Sequence, residues 1–350
     1  LADTLQKRQV PCFGPMQKAA ELEASKSFAK SIMQKAKVPT AAFHEVRTKE
    51  ECKKISLDIL GKNQTVVLKA SGLAGGKGVF IVQSLAQLDE ALSRLYIDMK
   101  SASEIDLIEE FLEGRECSYF CFLGNGEYTP LGFAVDYKKL NDGDQGPNTG
   151  GMGSYTPVTW LPTDAQSQVE QVVIAPLLET LRQEKIPYTG WLYVGLMWHP
   201  SRGPQVVEFN CRLGDPEAQI LAVADNRDWL NIVLYHLGLQ ERPKNAAKIS
   251  LTPTVGVVMT STDYPYKESD PGPASEFPKK LFEFDYPKQI FTAAVSKNDA
   301  SSIRTGRGRV FTCVAKASSI DAARNQAYVI VDMMKVNWQN CHYRTDIGNV

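Results

Sequence analysis

The stretch "LKASGLAGGKGVFIV", Leu68 to Val82, sets four glycines around Lys77 between two apolar runs. Glycine lets backbone N–H groups approach a ligand closely and reach positive φ without steric cost. Lysine adds a compact, mobile positive charge. The pattern therefore reads as a loop that closes over phosphates, or as a bare turn with a solvated lysine. It is not a Walker A loop, because Gly78 follows Lys77 where a hydroxyl is needed for magnesium. The dinucleotide fingerprint fails too, since the glycines are misplaced and a strand follows. A glycine loop between two strands is a flap over a nucleotide. Lys69, ending the preceding strand, offers a second cation toward the phosphates or is a surface lysine on an edge strand.

Around this stretch the chain is that of a soluble globular protein: 350 residues, 43% hydrophobic and 23% charged. That length predicts two or three domains. The net charge of −1, with both signs interspersed, argues against nucleic-acid and membrane-surface binding. No apolar run has the length of a membrane span. The seven cysteines are scattered with no C-x-x-C, which fits reduced thiols in a cytoplasmic protein. The four histidines lie far apart, so zinc and a Cys–His nucleophile pair are disfavoured. The opening "LADTLQKRQVPCFGP" has no initiator methionine and no signal-peptide core, from which missing upstream sequence is expected.

Periodicity predicts one helix over residues 16–36, then β-rich segments at "TVVLKA", "GVFIV", "IDLIEEFL" and "ECSYFCFLG". Asn125-Gly126 is a hairpin signal. Asn141 to Ser154 reads as a long, irregular, glycine-rich loop, of the kind that is usually functional or disordered. A helix, the strands "GWLYVGLMW" and "GPQVVEFN", one or two further helices and a strand-rich closing unit follow. The fold class is α+β, with several small sheets.

"VVEFNCRLGDPEAQ", Val206 to Gln219, carries the most specific chemistry. Glu208 and Asn210 stand two apart in a strand and share a face, with Phe209 on the other. A carboxylate and an amide oxygen so placed suit Mg²⁺ held between protein and phosphates. A solvated strand face would show the same alternation. Arg212 and Asp215 follow beside Gly214, and a guanidinium there can neutralise a transferring phosphoryl or an acyl phosphate. In "LIEEFLEGRECSYF" the connector between two strands can offer backbone groups to an adenine edge, with Glu116 for ribose hydroxyls. In "DYKKLNDGDQGPNTGGMGSYTP", Gly150, Gly151 and Gly153 around Met152 favour backbone contacts to a small ligand.

The motifs "KASGLAGGKGV", "IEEFLEGRE", "GPNTGGMGSYTP", "YTGWLYVGLM" and "EFNCRLGDPE", in this order, resemble the glycinamide ribonucleotide synthetase (phosphoribosylamine–glycine ligase) family of ATP-grasp enzymes. The likeness runs from about Phe13 to Gly348 and includes the closing "YRTDIG". It implies an ATP-grasp fold, two α+β subdomains sandwiching ATP, plus a small C-terminal β-rich domain. Residues 1–23 would be the remnant of an N-terminal domain and linker. Residues 24–248 would be the ATP-grasp domain, with the flap-bearing subdomain at about 45–116, and 249–350 the C-terminal domain. The family's N-terminal domain would be almost wholly absent.

The resemblance also implies roles. Lys69 and Lys77 would hold phosphate oxygens with Gly75, Gly76 and Gly78 of the flap. Glu110, Phe111 and Leu112 would face adenine and Glu116 the ribose. Glu208 and Asn210 would bind Mg²⁺ or Mn²⁺. Glycine's carboxylate would attack the γ-phosphate of ATP, and the amine of 5-phosphoribosylamine would displace phosphate from glycyl phosphate. Arg212 would serve the glycine carboxylate or acyl phosphate, Asp136 the amine, and Asn148, Thr149, Gly150 and Asp215 the substrates. The partners would be small molecules, with fusion to other purine-pathway enzymes compatible with the family.

Departures from the family pattern include Tyr137 and Lys139 in a "DHKR"-like run, Gly75 for alanine, Leu213 for Phe, "YPYKES" for Y-P-x-x-Y, and Thr292 in "FTAAV". Two other functions fit the same residues: a different ATP-grasp carboxylate–amine ligase, and an ATP-binding fragment without catalysis.

Overall fold

The structure, a computed structural model, describes residues 1–62, 64–70, 78–98, 106–266, 274–279, 288–298 and 301–350. Gly75, Gly76 and Lys77 of the glycine loop lie outside the described residues. The chain divides into two units. The first takes Leu1–Pro130, Leu161–Arg212 and Trp229–Ala246, and the second Leu131–Trp160, Leu213–Asp228 and Ala247–Val350.

The first unit begins with α1 (Ala2–Lys7), α2 (Gln17–Ala24) and α3 (Lys26–Ala36). The single helix expected over 16–36 is thus two, divided at Ser25. Its backbone is extended, and its hydroxyl accepts from the Phe28 N–H at 3.2 Å, capping α3. Next come β1 (Phe43–Val46), α4 (Lys49–Leu60), β2 (Val66–Ala70), β3 (Val79–Val82), α5 (Leu85–Ser93) and β4 (Asp106–Glu110). The strands form an antiparallel sheet in the order β1-β4-β2-β3. Val66 and Leu68 of β2 and Ile108 of β4 bury themselves with Cys52 of α4 and with Leu88 and Leu92 of α5. The period of two then turns Lys69 and Glu109 to the opposite face.

A second ladder of this unit uses β5 (Arg115–Gly124) and the start of β6 (Glu127–Asp136), joined at Asn125-Gly126 with φ of 53° and 72°. Both values are positive, as a tight hairpin turn demands. The strand Gly190–His199 lies between β5 and the strand Gly203–Asn210, antiparallel to both. A β-bulge falls between Gly195 and Leu196 of this pairing, just before Glu208. A bulge there re-aims the following side chains.

In the second unit the end of β6 pairs with Gly153–Thr156, which continues to Thr254–Ser261, Arg309–Lys316 and Lys288–Thr292, all antiparallel. The helix Ile320–Lys335 buries Ala323, Ala327, Ile330, Val331 and Met334 with Val255, Val257, Phe311 and Cys313 of these strands. The Asn141–Ser154 segment is more ordered than its composition suggests. Lys139–Asn141 pairs with Gln145–Asn148 as a hairpin, and Gly153 opens a sheet strand. Long-range contacts replace the missing apolar anchors. The buried Arg344 guanidinium donates to the Lys139 carbonyl at 3.1 Å, to Asp144 at 2.9 Å and to both oxygens of Asp346. It lies over the Tyr137 ring, 4.8 Å from the centroid, so this departure from the family pattern sits in a built contact. No helix among the described residues is long and apolar enough to cross a membrane.

Candidate active site

In the first unit, β2 and β4 place Lys69 and Glu109 as diagonal neighbours on one face, opposite Leu107 and Val67 respectively. Lys69 Nζ donates to Glu109 Oε2 at 2.8 Å. Lys30 Nζ reaches the same oxygen at 3.2 Å from α3. Lys30, Lys69 and Glu109 are 2%, 6% and 3% exposed, so Lys69 is not a solvated residue on an edge strand. Its strand has a neighbour on each side. Burial lowers the Lys30 pKa; the Glu109 carboxylate opposes this and the Lys69 charge adds to it. Burial also lowers that of Lys26, one turn earlier on α3, against the pull of Glu208 and Glu109. Lys26 therefore feels Glu208, Lys69 and Glu109, and Lys30 feels Glu109, Lys69 and Glu110.

The strand Gly203–Asn210 carries Glu208 and Asn210 on one face, and Phe209 is buried on the other. Asn210 Nδ2 donates to Glu208 Oε1 at 3.3 Å. Glycine at 195, opposite Glu208, leaves room for this side chain; a Cβ there would sit 3.3 Å from Glu208 Cγ. Arg212 donates through Nη2 to Asn210 Oδ1 at 3.2 Å and through Nε to Glu23 Oε1 at 2.9 Å. The other Glu23 oxygen accepts from the Cys211 N–H at 2.8 Å. Two hard oxygen donors side by side fit a Mg²⁺ ion, which keeps much of its shell as water and phosphate oxygen. Among the described residues no group of three or more His, Cys, Asp or Glu could hold a metal by itself.

The connector from β4 to β5 runs Phe111 to Gly114. Glu110 closes against Ala42, whose N–H donates to its carboxylate at 3.2 Å, while the Glu110 N–H donates to the Ala42 carbonyl at 3.0 Å. Phe111 is 42% exposed and Leu112 buried. Gly114, at φ +144°, passes so near the Trp198 carbonyl that a Cβ would stand 2.4 Å from it. Glu116 lies in β5 opposite Met197. Gly78 adjoins β3, and its carbonyl accepts from the Ala70 N–H at 2.9 Å.

The second unit gathers Asp136, Asn148, Thr149, Gly150 and Asp215. Thr149 donates twice to the Lys138 carbonyl, from N–H at 2.7 Å and from Oγ1 at 2.9 Å. The Gly150 N–H donates to Tyr264 Oη at 2.8 Å. Arg309 Nη1 donates to the Gly150 carbonyl at 2.6 Å and also to the Asp215 carbonyl, while Nη2 pairs with the Asp215 carboxylate at 3.1 Å. At Gly151 a Cβ would meet Pro216, Asp136 and the Asp215 carbonyl within 3 Å. Asn148 ends the hairpin that leads into this loop.

Five participants escaped the motif reading: Glu23, Lys26, Lys30, Glu109 and Arg309. Lys26 and Lys30 carry a readable signal, since two lysines at i and i+4 share one helix face with Ala29 and Met33. Glu109 has a weaker one, as the inward neighbour of Glu110 in a strand. Glu23 and Arg309 have no local signature, because their partners lie far away in sequence.

A glycine-rich sequence between two strands, two buried lysines on one carboxylate and a paired carboxylate and amide on a strand fit the ATP-grasp class. Comparisons agree: the biotin carboxylase domain of Hydrogenobacter thermophilus 2-oxoglutarate carboxylase shares the fold, with a TM-score of 0.68 at 18% identity over 97% of this chain and 71% of that one. Residues 24–218 match the family "Phosphoribosylglycinamide synthetase, ATP-grasp (A) domain", and residues 254–350 its C domain. Phosphoribosylamine–glycine ligase of Pseudomonas syringae pv. tomato is 34% identical, covering 99% of this chain and 79% of that protein. The ligase of Streptococcus pneumoniae is 37% identical, covering 100% and 80%. The crystal structure of phosphoribosylamine–glycine ligase from Thermotoga maritima has a TM-score of 0.81 at 32% identity, covering 95% of this chain and 81% of that one. The chain belongs to the phosphoribosylglycinamide synthetase family.

Proposed function

We propose that the chain joins glycine to 5-phosphoribosylamine at the expense of ATP, giving glycinamide ribonucleotide, ADP and phosphate, as a cytoplasmic enzyme of purine biosynthesis. A free carboxylate is a poor acyl donor, so one oxygen of glycine attacks the γ-phosphorus and ADP departs. The amine nitrogen then attacks the carbonyl carbon of glycyl phosphate, phosphate leaves, and Asp136 takes the amine proton. Lys69 and Lys77 hold phosphate oxygens, and Gly75, Gly76 and Gly78 close the flap, which excludes the water that would hydrolyse the intermediate. Glu110, Phe111 and Leu112 receive adenine, and Glu116 the ribose.

Arg212 orients the glycine carboxylate and stabilises the charge on the acyl phosphate. Asn148, Thr149, Gly150 and Asp215 shape the substrate side. Glu208 and Asn210 hold Mg²⁺ or Mn²⁺, which when bound neutralises phosphate charge.

The observation that carries this reading is the buried Lys69–Glu109 pair in the same unit as the Glu208–Asn210 pair, within a chain of this family. A coupled ADP-release assay with glycine and freshly generated phosphoribosylamine tests it. Release that requires both substrates is expected. Release with another amine in its place would point to a different ATP-grasp ligase. Mg-ATP binding without release would leave a nucleotide-binding module.

A further inference from the structure

The Lys30–Glu109–Lys69 cluster goes beyond phosphate binding. Lys30 has three N–H donors and three acceptors: Glu109 Oε2 at 3.2 Å, Thr40 Oγ1 at 2.9 Å and the Ala41 carbonyl at 3.3 Å. Thr40 in turn donates to the Val206 carbonyl at 2.6 Å, so Lys30 is fixed between α3 and the strand that bears Glu208. Lys30 is thereby saturated. Lys69 spends one donor on Glu109, and its other two have no partner among the described residues. Two ammonium groups that close, and this deeply buried, would repel one another without the carboxylate between them.

We propose that Glu109 and Lys30 are positioning residues for Lys69. Lys30 anchors Glu109, and Glu109 aims the Lys69 ammonium at an incoming polyphosphate. This rests on the ATP reading above. The charged groups around the cluster are Lys26 and Lys30 on α3, Lys69 on β2, Glu109 and Glu110 on β4, and Glu208 on its strand. Burial already lowers the Lys30 pKa, with Glu109 the largest opposing influence. Neutralising Glu109 removes that influence and leaves two cations around an uncharged side chain.

The test is Mg-ATP binding by calorimetry, from about pH 7 to about pH 9.5, on the whole chain. For Glu109→Gln the affinity should fall about tenfold or more, and fall further as pH rises, because the crowded lysines lose their protons. Wild type should be flat over the same range. Adding Lys30→Met to Glu109→Gln removes the repelling neighbour, so the double variant should bind more tightly than Glu109→Gln and lose the pH slope. A merely structural role predicts the opposite order, with the double variant the weaker. Glu109→Gln matching wild type across pH, or a double variant no better than the single one, overturns the proposal. If Glu109→Gln does not fold, the double variant alone decides: affinity within about tenfold of wild type and flat with pH supports it, and a greater loss refutes it. Wild type that fails to bind Mg-ATP would refute the functional reading instead.

Discussion

Gly151→Ala tests the proposed substrate loop through backbone geometry and packing. Gly151 has φ of +112°, outside what a residue with a Cβ adopts without strain. Holding alanine in such a conformation costs about 1–3 kcal/mol. The added methyl would also lie 2.7 Å from Pro216 Cδ, 2.9 Å from Asp136 Oδ1 and 2.9 Å from the Asp215 carbonyl. A proline ring and a backbone oxygen cannot swing aside, so overpacking adds about 1–3 kcal/mol. Gly308 is the matched control. Its φ is +100°, but nothing lies within 4 Å of its Cβ position, so Gly308→Ala meets only the backbone term. Thermal melts should therefore rank wild type above Gly308→Ala above Gly151→Ala, with the last gap near 2–4 °C per kcal/mol, as expected for about 150–250 residues. KM for glycine or phosphoribosylamine should rise in Gly151→Ala alone, with Mg-ATP affinity unchanged. Two alanine variants that melt together and share wild-type kinetics would refute the reasoning.

Arg212→Ala should spare Mg-ATP binding, measured by calorimetry, and abolish glycine-dependent phosphate release; equal loss of both would mark a structural role. Arg344→Met removes a guanidinium that holds Asp144, Asp346 and the Lys139 carbonyl. It should destabilise the second unit by about 3 kcal/mol in urea unfolding, and an unchanged midpoint would contradict the clamp. His236 is buried, with Nδ1 donating to the Gly124 carbonyl at 3.1 Å and Nε2 accepting from Thr129 Oγ1 at 2.9 Å. Burial lowers its pKa below 6.5, so the unfolded chain takes the proton first. That contribution to stability is complete above pH 6.5 and shrinks as pH falls below it. His236→Gln should flatten this part of the stability–pH curve, and an unaltered slope would exclude His236 as its source.

The candidate site was read from short motifs because the features that suggest it are local. A strand's period of two puts Glu208 and Asn210 on one face. The Asn125-Gly126 turn declared itself in the same way. Other features needed the fold. Ser25 interrupts a continuous apolar period, because its hydroxyl competes for the helix N–H groups. The hairpin after Tyr137 has few apolar anchors, and a buried arginine some 200 positions away supplies its order.

By itself, then, the sequence determined which strands alternate, where glycines cluster around a lysine and which polar side chains share a strand face. Those properties depend on residues within a few positions of each other. Only the tertiary structure decided that Lys30 and Lys69 meet on Glu109, that Glu23 reaches Arg212, and that Arg309 ties Gly150 to Asp215. Each is a hydrogen bond between distant segments, and its energy depends on distance and burial, which no local pattern encodes.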